Sequence, residues 1–211
     1  MNKIINLAAL VLFLVTRLTY ANAAEFSLVR TEQFLQKLAP HALRYPTSFD
    51  SKSQYNQYSK ILKEVLLELD SALPNSQTNA EFLFQYALAN SMGHNMDISG
   101  CAEKSIAGYS QLLEINPDDK RANYYFGSFL SATTLYEKSF PYLQRAIELG
   151  EQDAHYTLGF VYIKEGKTQA ALAEFKDYLE VNPENQAAKK MVKDIENNSL
   201  KVDVKSLPLQ N

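Results

Sequence analysis

"YTLGFVYIKEGKTQAALAEF", residues 156–175, is strongly apolar, yet it places Gly159 and Ala171 where a helical core ordinarily carries larger side chains. Two antiparallel helices approach to roughly 8 Å only where one of them carries little or no side chain, and larger neighbours then fill the flanking grooves. A mid-helix glycine costs about 1 kcal/mol relative to alanine, so a close packing contact is the compensation expected here. The stretch reads as a tight helical hairpin. Gly159 on its first helix and Ala171 on its second are the contact points, with Leu158, Tyr162 and Phe175 packed around them.

The same signal recurs along the chain. "YYFGSFL" (124–130) repeats the aromatic-x-apolar-Gly arrangement of "YTLGFVY" (156–162) 32 residues earlier. Asn116-Pro117 and Asn182-Pro183, 66 residues apart, each close an apolar helix, "SQLLEI" and "KDYLEV". A period near 34 residues is that of a helical-hairpin array. On these residues the chain resembles the tetratricopeptide repeat family. The last repeat carries His155 where the family usually has Trp, then Leu158, Gly159, Tyr162, Gly166, Ala171, Phe175 and Pro183. The middle repeat aligns Asn123, Phe126, Gly127, Leu130, Ser139, Leu143 and Ala146, with Gly127 and Ser139 repeating the close contact. The first aligns Leu83, Tyr86, Ala87 and Asn90, then Ser105, Tyr109, Leu112 and Pro117. The resemblance implies an all-α, right-handed helical-hairpin solenoid of about three repeats within residues 79–198, and it names no activity.

Around the repeats the helical pattern continues. Residues 26–38 form a short helix, "APHALRYPTSFDS" (39–51) a connection, and "SQYNQYSKILKEVLLELDSAL" (53–73) an amphipathic helix, so residues 24–78 are an N-terminal helical segment. "GHNMDISG" (93–100) reads as a connection in which Asp97 or Ser99 caps the next helix. Pro141 is tolerated only near a helix start, which puts that start close to Glu137. Residues 184–198 carry Ala187, Ala188, Met191, Val192 and Ile195 on one face, as a capping helix should, and residues 199–211 read as a flexible tail.

The first 23 residues read as an export signal: Lys3, the apolar "IINLAALVLFLV" (4–15), then "ANA" (21–23) before a cut at Ala24. The apolar stretch would cover only about 18 Å as a helix, short of a bilayer core of roughly 30 Å. Membrane association is expected only if this segment is retained. Its removal takes Lys3 and Arg17 and leaves 19 basic against 24 acidic residues, a net charge of −5. The expected address is periplasmic or secreted. The single Cys101 suits an oxidising compartment, and dispersed basic residues argue against nucleic acid.

Hairpin arrays expose their first helices on a concave side, and the groove positions implied by the resemblance are Phe84, Leu88, Tyr124, Tyr125, Ser128, Tyr156, Phe160, Ile163 and Lys164. Of these, Phe84, Tyr124, Ser128, Tyr156, Phe160 and Lys164 form the expected partner-binding set, centred on the aromatics. The expectation is a non-catalytic adaptor for a protein or peptide ligand, with no catalytic set, cofactor, metal or small-molecule substrate. A second reading makes the array the substrate-holding part of an enzyme using Glu32, His41, Asp50, Glu64, Glu68 or Asp70, among which no recognised spacing occurs. A third is a self-assembling homo-oligomer. His94, Asp97 and Cys101 in one loop do not by themselves make a ligand set or a Cys-His pair.

Overall fold

Four helix starts are written into the sequence as side-chain caps. Ser51 accepts from the Gln54 amide, Asn79 from Phe82, Asp119 from Ala122 and Asn185 from Ala188. Each satisfies an amide that the first helical turn leaves open, worth about 1 kcal/mol apiece. The computed structural model describes residues 28–200, in which helices joined by short connections are the regular structure, without a strand. The expected export signal (1–23), residues 24–27 and residues 201–211 of the expected tail lie outside the described residues. Among the described residues no helix is long and apolar enough to cross a membrane.

A helix through residues 28–42 (α1) and α2 (Lys52–Ala72) precede three hairpins. The hairpins are α3 (Ala80–Asn95) with α4 (Cys101–Ile115), α5 (Lys120–Ser131) with α6 (Phe140–Glu148), and α7 (Asp153–Lys164) with α8 (Thr168–Val181). The amphipathic α9 (Gln186–Glu196) closes the helical-hairpin solenoid, burying Ala188 and Ile195. The two Asn-Pro dipeptides build the same turn twice. After α4 the Asp119 amide donates to the Asn116 carbonyl, and after α8 the Asn185 amide donates to Asn182, both at 3.1 Å. Each turn thus ends one helix and sets the cap of the next.

The small residues sit at helix contacts, with one difference from the sequence reading. A Cβ on Gly159 would lie 2.8 Å from the Phe175 ring, so the partner of Gly159 is the large Phe175, not Ala171. Gly127 likewise faces Leu143 and not Ser139. In the first hairpin the relation is reversed, because Gly108 on the second helix admits Tyr86 and Ala87 of the first. The glycine spares room for a side chain that fills the groove, and Phe175 and Leu143 are both wholly buried.

Three boundaries also differ. α1 continues through Pro40 to residue 42 because Leu38 and Ala42 are fully buried and hold its last turn. α3 runs past Gly93 to Asn95, since Gly93 packs on Cys101 and Met92 is buried. The cap of α4 is Gly100, at φ 78°, and neither Asp97 nor Ser99; a left-handed residue there leaves the start without a side-chain cap. Pro141 lies in the first turn of α6, which begins at Phe140 after a 3₁₀ turn over Tyr136–Ser139, where a missing amide costs nothing.

Burial also fixes proton affinities. Desolvation raises the Cys101 thiol from 9.0 to about 11, and desolvation with Asp70 raises Tyr86 from 10.0 to about 12. The unfolded chain releases these protons at lower pH than the folded one, so alkali favours unfolding. Stability is expected to hold up to pH 9 and to fall between pH 9 and 12, and Cys101 to resist alkylation at pH 8 until denaturant is added. Denaturant melts across that range check it; an unchanged midpoint at pH 10.5 contradicts it.

Candidate functional site

Residues three or four apart on a helix share a face, and α5 and α7 use this to build one wall each. Tyr124, Ser128 and Ser131 of α5 and Tyr156, Phe160 and Lys164 of α7 line a single cavity of about 350 Å³. α3 contributes Ser91, His94 and Asn95, and Phe129 adds to the lining, its ring 5.5 Å from that of His94. The remaining side comes from the connection after α1, through Leu43, Arg44 and Tyr45. That connection is tied down. Asn95 Nδ2 donates to the Ala42 carbonyl at 3.0 Å, and His41 Nδ1 to the Ser48 carbonyl at 2.7 Å.

The aromatic wall is buttressed from behind. Phe175, seated over Gly159, lies 5.2 Å from Phe160 and 5.7 Å from Tyr156, ring to ring. Tyr156 and Phe160 meet edge to face at 5.0 Å, a geometry worth about 0.5–1.5 kcal/mol beyond area burial. Lys164 Nζ donates to the Ser131 carbonyl at 2.6 Å and lies 5.4 Å from the Tyr136 ring. Burial lowers its affinity for a proton below that of an ordinary lysine. The buried Ser128 hydroxyl has no hydrogen-bond partner. Burial raises the Tyr124 and Tyr156 phenols, Asp153 adds to the rise at Tyr124, and the charge of Arg44, which lines the same cavity, pulls both the other way.

Five of the six expected partner-binding residues therefore share one cavity: Tyr124, Ser128, Tyr156, Phe160 and Lys164. Phe84 does not. It is 6% exposed, its ring packed against Tyr125 at 5.6 Å and under the Arg121 guanidinium at 4.2 Å. α3 is enclosed by neighbouring helices, so Phe84 and Leu88 are core, as is Ile163 of α7. Tyr125 is half-buried and borders the cavity. The residues missed by sequence reasoning are Arg44, Tyr45, His94 and Phe129. The first two stand in a proline-flanked connection with no periodic signal to aim them.

Five of the six candidate acids and bases of residues 24–78 have local partners of their own. Glu68 pairs with Arg30 at 2.6 Å, Asp70 with Lys104 at 2.6 Å, Asp50 accepts from Gln54, Glu32 accepts from Gln36, and His41 stacks on Phe49. His94 faces the cavity while Cys101 packs on Gly93 in the core. One cluster was not legible in the sequence: His155, Glu174 and Asp177 bring ligand-type atoms within 4.8 Å of one another, with His155 Nδ1 2.7 Å from Glu174. Such a trio could ligate a divalent cation, and the short contact already joins α7 to α8 as a hydrogen bond.

A tetratricopeptide repeat family model matches residues 152–185, the α7–α8 hairpin with its closing Asn-Pro turn. No curated protein matches the chain. Among solved structures, the MamA protein is 20% identical with a TM-score of 0.55, covering 86% of this chain and 84% of that one. TTC0263, a thermophilic TPR protein in Thermus thermophilus, is 12% identical with a TM-score of 0.55, covering 85% and 95%. Residues 152–185 are thus a tetratricopeptide repeat, and the chain around them has the helical-hairpin fold of tetratricopeptide-repeat proteins.

Proposed function

We propose that the chain is a non-catalytic adaptor of a cell envelope or secreted fraction, holding a segment of a partner protein in the cavity between α5 and α7. The fold serves protein–protein contact in general. The observation that carries the specific reading is the convergence of Tyr124, Tyr156 and Phe160 on one cavity. Aromatic walls bury large area at low entropic cost. About 350 Å³ lies at the small end of ligand pockets, which run roughly 300–1,000 Å³. The partner therefore enters as a short segment, not as a domain. The exported address rests on residues 1–23, whose pattern is that of a cleaved signal.

The test is crosslinking and affinity capture from native cell envelopes. Wild type is compared with a Tyr156→Ala, Phe160→Ala double variant matched for circular dichroism. A protein captured by wild type and lost with the variant supports the reading. Equal capture by both rejects the cavity as the binding surface.

A further inference from the structure

We infer that the partner segment is acidic, with carboxylates flanking an apolar or aromatic residue, one pairing with Arg44 and the other with Lys164. The inference rests on the cavity being the binding site. Arg44 and Lys164 are the ionisable cations of the lining apart from His94, and no carboxylate lines it. Elsewhere on the molecule many basic groups are paired: Arg30, Lys104, Arg121, Arg145, Lys176 and Lys190 each meet a carboxylate within 2.8 Å. Among the described residues neither Arg44 nor Lys164 has such a partner. Lys164, half-buried, has the neutral Ser131 carbonyl and the Tyr136 ring 5.4 Å away, neither of which compensates an ammonium as a carboxylate does once water is removed. The nearest acidic influences on the Tyr124 side are Asp153 and Glu151, which stay out of the lining; Glu151 is bridged to Lys120 at 3.7 Å.

Arg44 and Lys164 line the same cavity from different elements, Arg44 from the connection after α1 and Lys164 from α7, two turns beyond Tyr156. Two carboxylates with a Leu, Phe or Tyr between them against Phe160 satisfy both cations and fill the aromatic wall.

The experiment probes an array of random decapeptides with the full chain, as wild type, as Arg44→Gln with Lys164→Gln, and as Tyr156→Ala with Phe160→Ala. Arg44 is exposed, so Arg44→Gln alone serves as a variant with no folding penalty. The expected result is a bound set enriched in Asp and Glu around apolar residues. Its affinity falls on the order of tenfold in the charge variant, as loss of charge-assisted pairs requires, and falls with added salt. A bound set that is neutral or basic, or acidic peptides held equally by the charge variant, overturns the inference and leaves the cavity reading standing. Binding that survives in the aromatic variant, or no peptide bound at all, removes the cavity reading and the inference with it. Displacement by succinate alone as effectively as by peptide would point to a small anion and overturn the peptide assignment.

Discussion

Replacing Phe175 with alanine is expected to lower folding stability by about 3–5 kcal/mol, the range for truncating a buried aromatic. Phe175 is wholly buried and occupies the space that Gly159 leaves on the facing helix. Alanine cannot reach across that gap, and Gly159 has no side chain to meet it, so the cavity cannot collapse from either side. The same ring supports Tyr156 and Phe160 from behind. Partner affinity should therefore fall even at temperatures where the variant remains folded. Phe175→Leu, which keeps most of the volume, should lose less than half as much stability. Urea melts of the three proteins decide this, and a Phe175→Ala loss under about 1 kcal/mol would mean that the hairpin does not depend on this contact.

Gly127→Leu should cost about 3 kcal/mol or more, against a gain of up to about 1 kcal/mol in helix propensity. A Cβ at Gly127 would lie 2.7 Å from Leu143 Cγ and 3.1 Å from the Leu143 backbone nitrogen. Backbone cannot step aside as the end of a flexible side chain can, so α6 must move bodily away from α5. Moving α6 also disturbs the Arg145 bridge to Asp118, though an exposed pair of that kind is worth little. Adding Leu143→Ala to Gly127→Leu should recover part of the loss, because the two changes share one contact. Thermal melts of the single and double variants give the coupling. A Gly127→Leu protein within about 0.5 kcal/mol of wild type, the size of effect that ordinary surface changes produce, would contradict close packing at this helix pair.

The hairpins were legible in the sequence because their determinants are local. Gly159, Gly127 and the two Asn-Pro dipeptides act within some twenty residues of their partners, and the repeat displays them more than once. The cavity was legible as far as the repeat reached. Tyr124, Ser128, Tyr156, Phe160 and Lys164 are groove positions that the resemblance implied, and helical spacing aligns those of α5 on one face and those of α7 on another. Phe84 was misplaced because it turns into the contact of α3 with α4 and α5, against Tyr109, Tyr125 and Arg121, where the resemblance implied an outward groove position. The sequence of α3 carried a trace of this: from Phe82 to Gly93 it has no charged residue, as suits a helix buried on every side. Arg44 and Tyr45 could not be placed, since the bond that anchors the end of α1 beside them comes from Asn95, 53 positions from Ala42. The His155, Glu174 and Asp177 cluster was hidden for the same reason: it crosses from α7 to α8.

The central claim, that the α5–α7 cavity holds a partner segment, is tested most directly by titrating the captured partner's segment into the full chain and its Tyr156→Ala, Phe160→Ala variant. Both proteins are first matched by circular dichroism, and binding is followed by fluorescence anisotropy. The account predicts saturable binding to wild type and a loss on the order of a hundredfold in the variant, as expected for removing two aromatic anchors. Equal affinity for both proteins would contradict it.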